Sequence, residues 1–166
     1  RMSVLPILTW PDTRLSQVCQ PVDDLDDVAS LIADMFDTMY AAPGRGLAAP
    51  QVGVLARVFV MDPTWKDGEK TPMVCINPVI TETSDDERVG AEACLSIPNV
   101  AADVRRPSEI TLAYTDQDGV RCEQHLTGFA ATCAQHELDH LDGLVIFDRL
   151  SPEERTNLEA NFQARA

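Results

Sequence analysis

A chain of 166 residues is long enough for one domain with a full core, and its 45% hydrophobic content excludes an intrinsically disordered one. The 27 acidic against 13 basic residues give a formal net charge of -14, which argues against non-specific nucleic-acid binding and against an anionic membrane surface. No apolar run reaches transmembrane length, and the opening Arg1-Met2-Ser3-Val4 is not read as a signal peptide.

Residues 24–42 are predicted as a helix. Val28, Leu31, Ile32, Met35, Phe36, Met39 and Tyr40 recur with the 3.6-residue period, Asp24 is placed as N-cap, and Pro43-Gly44 ends it. Residues 57–62 and 74–80 read as strands separated by the polar loop 62–71. Two further strands, 109–115 and 120–127, are joined by a turn at Gln117-Asp118-Gly119. Residues 129–141 form a second helix closed by Gly143, and Ser151-Pro152-Glu153-Glu154 is a capping box that opens a last one. Helices segregated from short, mostly antiparallel strands give an α+β fold, with residues 1–166 as a single domain. The five cysteines, Cys19, Cys75, Cys94, Cys122 and Cys133, are an odd, scattered set. They point to a reducing compartment, and so to a cytoplasmic location, rather than to a disulfide framework.

Within the second helix the segment His136-Glu137-Leu138-Asp139-His140 carries two of the chain's three histidines. Positions i and i+4 of a helix lie on one face, so His136 and His140 can hold one metal ion from one side, with Glu137 beside the first as a general base. A catalytic site of this kind takes a third protein ligand and leaves one position open. The longer pattern HExxHxxGxxH fails here, because Ile146 stands where its last histidine belongs. His125 lies in a strand-like stretch and reads as a strand residue. A distant Glu159 or one of the thiols remains as third ligand. Gly44 to Gly46 lacks the phosphate-loop pattern GxxxxGK[ST], which argues against nucleotide binding. Its glycines suit a close approach to a bound backbone.

Three segments resemble the peptide deformylase family in order and spacing: Gly44-Arg45-Gly46-Leu47-Ala48-Ala49-Pro50-Gln51, Glu92-Ala93-Cys94-Leu95-Ser96, and Gln135-His136-Glu137-Leu138-Asp139-His140. Residues 4–8, 11–15 and 35–40 look like the same family, so the resemblance spans nearly the whole chain. It implies short antiparallel strands around a central metal-ligand helix. It also implies Cys94, His136 and His140 as metal ligands, Glu137 as base, and Gln51 with the backbone N–H of Leu95 as donors to the substrate oxyanion. The cofactor implied is one divalent ion, Fe2+ first, with Zn2+, Ni2+ or Co2+ able to occupy the site. The activity implied is hydrolysis of N-formylmethionyl peptides with release of formate. Two alternatives stand beside it: an HExxH zinc peptidase using Glu159, and a non-catalytic relative that binds formyl or acyl peptides. The four remaining cysteines read as structural thiols. Glu92 and Arg106 are expected to pair behind the cysteine loop, and Asp139 is either a supporting or a surface carboxylate.

This chain departs from the family pattern at several places. Ala93 replaces the more common glycine before the cysteine, and would be strained if that position needs φ > 0. Arg45 stands where an aliphatic residue is common, at the border of the pocket for the methionine side chain. It is read as turning to solvent, the alternative being altered substrate preference. Gly90 replaces a larger residue near the same pocket. Gly46, Arg45 and Gly90 are carried as substrate-binding residues. Some members dock on the ribosome through a basic C-terminal helix. Here Glu153, Glu154 and Glu159 outnumber Arg155 and Arg165, so at most a transient ribosome contact is expected. The other expectations are a formylmethionyl peptide substrate, no nucleic-acid or membrane partner, and a monomer.

Overall fold

The helical period over residues 24–42 resolves into two pieces in a computed structural model of the chain, which describes residues 3–166. Arg1 and Met2, where no signal peptide is read, lie outside the described residues. The Asp24 carboxylate accepts from the Asp26 N–H and caps a 3-10 turn, Leu25–Asp27; the helix proper, α1, runs Ala29–Ala41 from an N-cap at Val28. An Asp side chain two residues ahead of a free N–H favours a tight turn over helical bonding, which moves the start of α1 beyond Asp24. Ile32, Met35 and Met39 are buried along α1, as the period requires.

Seven strands follow: β1 Gly46–Ala48, β2 Val58–Met61, β3 Met73–Thr83, β4 Glu87–Cys94, β5 Ile97–Pro107, β6 Glu109–Thr115 and β7 Arg121–Thr127. One antiparallel sheet has the order β1-β2-β3-β6-β7, and β4 with β5 forms a separate antiparallel ladder. β2, β3, β6 and β7 fall on the four predicted stretches, whereas β1, β4 and β5 add to them. β4 shows no apolar face because Glu92 is one of its inward residues. β5 does alternate, burying Val100, Ala102, Val104 and Arg106, but small alanines and an arginine in the inward row mask the pattern. Near its tip the ladder slips: Ala93 pairs with Ala101, and Cys94 with Ile97. Such a bulge re-aims the side chain that follows it.

The second helix, α2, runs Gly128–Leu141 and is buried at Ala131 and at every residue from Cys133 to Leu141. It packs against β1, β2 and β7. Gly143 ends it at φ 77, where an added Cβ would lie 2.9 Å from the carbonyl carbon of Ser16. The final helix, α3, is Pro152–Arg165, opened by the expected capping box. Ser151 Oγ accepts from the Glu154 N–H at 3.2 Å, and Glu154 Oε1 accepts from the Ser151 N–H at 3.1 Å. Three apolar clusters form the core. The first joins α2 to the sheet through Phe59, Leu112, Ala134 and Leu138; the second joins Cys94 to Ile97, Val104, Phe147 and Phe162; the third backs α1. The polar residues of α2 and Cys94 thus meet along the seam between the first two clusters.

Candidate active site

At that seam the ligand atoms of Cys94, His136 and His140 all lie within 4.8 Å of one another, and Cys94 Sγ is 3.5 Å from His140 Nε2. The i,i+4 spacing brings the two imidazole ring centres to 5.1 Å. All three residues are buried. A thiolate and two imidazoles suit a transition-metal ion, and three protein ligands leave one position of a tetrahedral site open. Glu137 Oε1 also fits such a centre, being buried and meeting no protein donor, as a group that takes a proton from water requires. His140 Nδ1 is likewise buried without a protein partner.

Behind the ligands lies a network of buried charges. His136 Nδ1 is 3.0 Å from Glu92 Oε1; in the tautomer in which Nδ1–H donates there, Nε2 is free to face Cys94 and His140. Arg106 grips the same carboxylate through Nε at 2.7 Å and Nη2 at 2.9 Å, and donates through Nη1 to Asp139 at 2.9 Å. Arg149 closes the chain by donating from Nε to Asp139 at 2.9 Å. Asp139 is therefore a supporting carboxylate and not a surface one, and the Glu92–Arg106 pair is buried rather than exposed. Burial works against the Glu92 charge, but His136 and Arg106 outweigh it and hold the carboxyl down to about 2. At Glu137 burial dominates and pushes the carboxyl up to about 7, against the opposing charges of His136 and Arg106. At His140 burial, then the positive His136 and Arg106, lower the pKa well below its ordinary value. At His136 burial is overcome by Glu137, Cys94 and Glu92, which raise it.

Gln51 sits in a 3-10 turn, Ala49–Val52, directly after β1. Its Oε1 accepts from the Ala48 N–H at 3.0 Å, which fixes the amide so that Nε2 points at Ser96 Oγ, 3.1 Å, and Cys94 Sγ, 3.7 Å. Gly46 lies against the base: a Cβ there would stand 2.6 Å from Glu137 Oε2 and 2.9 Å from Cys133 Sγ. Gly44 similarly receives the Leu95 side chain, its own missing Cβ falling 2.7 Å from Leu95 Cδ1. The centre opens into a cleft of about 630 Å³ walled by Arg45, Gly46, Gln51, Leu95, Cys133 and Glu137 among others.

Not every expected residue falls on this wall. Gly90 lines a smaller neighbouring cavity of about 110 Å³ instead. Arg45 is half-buried, with its guanidinium 5.0 Å over the Phe129 ring and not free in solvent. Ala93 faces the cleft without strain, because among the described residues the non-glycine ones with positive φ are Asn77 and Asn99. Cys133, read as a purely structural thiol, lines the cleft beside Glu137. Glu159 accepts from Arg155 Nε at 2.7 Å on α3 and is not in the ligand group, which removes it as third ligand. His125 is an exposed strand residue on β7, 2.8 Å from Glu109. The supporting Arg149 had no signal in the sequence, and the Gln51 neighbour Ser96 had only its place at the end of the cysteine motif.

The family model for polypeptide deformylase matches residues 4–156. The peptide deformylase of Maricaulis maris is 48% identical over 151 residues, covering 90% of this chain and 87% of that protein. That of Rhizobium meliloti is 43% identical over 166 residues, covering 99% and 95%. Among solved structures, the peptide deformylase of Ehrlichia chaffeensis in complex with actinonin superposes with a TM-score of 0.91 at 39% identity, covering 99% of this chain and 98% of that one. The Legionella pneumophila peptide deformylase gives 0.90 at 37%, covering 98% and 95%.

Proposed function

The chain belongs to the peptide deformylase family, and we propose that it removes the N-formyl group from N-formylmethionyl peptides with Cys94, His136, His140, Glu137, Gln51 and Leu95 as its working residues. It is a metal-dependent hydrolase of a linear amide bond; neither the peptidase nor the non-catalytic reading finds support in these relatives. The observation that carries the residue assignment is the convergence of Cys94, from the slipped end of β4, on the two histidines of α2.

In the proposed mechanism Cys94, His136 and His140 hold the ion, and Glu92 keeps His136 in the ligating tautomer. When bound, the ion supplies Lewis acidity and lowers the pKa of a coordinated water from about 15.7 towards 7. Glu137 takes the proton of the attacking water and returns it to the peptide nitrogen as the formamide C–N bond breaks, releasing formate and a free amine. Gln51 Nε2 and the Leu95 N–H donate to the carbonyl oxygen as it gains charge; loss of one such donor typically costs about 10²–10³ in rate. Fixing the Gln51 amide through Ala48 means that it need not reorganise during the reaction.

Fe2+ is the ion proposed, with Zn2+, Ni2+ or Co2+ compatible with thiolate and imidazole donors. The same proposal makes residues 1–166 one metallohydrolase domain, monomeric and cytoplasmic. The five free cysteines favour a reducing compartment. No helix among the described residues is long and apolar enough to cross a membrane. Ribosome contact is proposed as transient at most, since Arg155 on α3 is already paired with Asp148 and Glu159. The test is formate release from a formyl-Met dipeptide by protein loaded anaerobically with iron or nickel. Turnover is expected with either, and its absence with both overturns the reading.

A further inference from the structure

Resting on that reading, we propose that Arg45 makes the enzyme selective for formylated peptides that carry a carboxylate close to the formyl end. Arg45 is the chain neighbour of Gly46, where an added Cβ would fall 2.6 Å from Glu137 Oε2, so its backbone stands one residue from the reacting groups. Its guanidinium carbon lies 5.0 Å from the centre of the Phe129 ring, over its face. A ring face supplies no carboxylate for the cation it holds, so the guanidinium N–H groups remain available to a carboxylate in a two-point contact.

Among the described residues no carboxylate pairs with Arg45; Arg88, Arg105, Arg121 and Arg165 have none either, but of these Arg45 alone lines the main cleft. In a chain with 27 acids, an arginine in the cleft wall that none of them reaches is a binding group left over for something else. The acids on the same wall do not compete for it: Glu92 is held by Arg106 and His136, and Glu137 is buried against Gly46.

The surroundings carry the same sign. Lys66 lines the cleft, and Arg88 lines the smaller cavity, which shares Ala91, Glu92, Phe129 and Thr132 with the cleft. The Arg88 guanidinium lies against Gly90, where an added Cβ would stand in ordinary van der Waals contact, 3.5 Å from Nη2. Arg88, like Arg45, has no carboxylate partner among the described residues. The net charge of -14 opposes an anionic peptide from afar, but beyond about 8 Å that field is screened at physiological salt and the local cations decide.

Three sources could supply the carboxylate: an acidic first side chain, an acidic second side chain, or the C-terminus of a formyl dipeptide. The test measures kcat/KM of the metal-loaded enzyme for formyl-Met-Ala amide, formyl-Glu-Ala amide, formyl-Met-Glu amide and formyl-Met-Ala with a free C-terminus. In the parent enzyme at least one anionic substrate should exceed the neutral amide by about tenfold, and which one identifies the source. The gain should appear in KM, should disappear in Arg45→Met and should persist in part in Arg45→Lys. A parent enzyme with no anionic preference, or a ratio unchanged in Arg45→Met, overturns the proposal. Failure to release formate from any of the four overturns the deformylase reading instead.

Discussion

Replacing Arg106 by Met tests whether the buried charges behind the metal ligands hold the centre together. Met fills much of the arginine stem's volume and removes the charge. Asp139 would keep Arg149, but Glu92 would keep only His136 Nδ1. Glu92 loses two charge-assisted bonds, at 2.7 and 2.9 Å, in a place where its side chain is 4% exposed. Breaking a buried pair by removing one partner costs about 3–5 kcal/mol, chiefly from the charge left behind. At roughly 2–4 °C per kcal/mol for a domain of this size, the melting temperature should fall by about 6–20 °C. Loosening the His136 tautomer should also weaken metal binding by about 10–100-fold. Calorimetry of the metal-loaded protein at fixed ion concentration reads the first effect, and competition with a chromophoric chelator the second. Pairing the change with Glu92→Gln removes the stranded charge and should recover part of the lost stability. If Arg106→Met melts within about 2 °C of the parent and holds metal equally well, the network is not what supports the site.

X-ray absorption of the loaded protein should show one sulfur and two nitrogen ligands from the protein, and a shell without sulfur would remove Cys94. Glu137→Gln should keep its metal and lose nearly all turnover, so parent-like formate release in that variant rules out Glu137 as base. Gly46→Ala pushes a methyl to within 2.6 Å of Glu137 Oε2. Its kcat should drop by about 10²-fold or more while stability falls by only about 1–3 kcal/mol, and a silent substitution would place the base elsewhere. Ser151→Ala removes the α3 cap bond from Glu154 N–H. It should cost about 1 kcal/mol and leave kcat/KM unchanged, and lost activity without lost stability would tie α3 to the site.

Local periodicity made much of this protein legible in one dimension. The i,i+4 spacing of His136 and His140 places both on one helical face wherever that helix sits, and Ser151 with Glu154 caps a helix by short-range bonds alone. Alternation likewise marks residues 109–115 and β7, whose partners are hairpin neighbours. Local pattern could not choose the third ligand among His125, Glu159 and a thiol, because that choice depends on which distant element reaches α2. Packing decided it: the ladder of β4 and β5 shifts register by three residues after Ala93, from Ala93 opposite Ala101 to Cys94 opposite Ile97, and delivers Cys94, while Glu159 is spent on Arg155 along α3. The same holds for the charges. The family resemblance suggests that Glu92 and Arg106 pair, but the sequence leaves Asp139 open between a supporting and a surface role, and Arg45 reads as solvent-facing. Burial between two apolar clusters makes the first three a paired network, and Phe129 holds Arg45 at the cleft. A sequence pattern specifies which face a residue takes on its own element; which faces meet is set by the packing of whole elements, and the chemistry of this site lies where they meet.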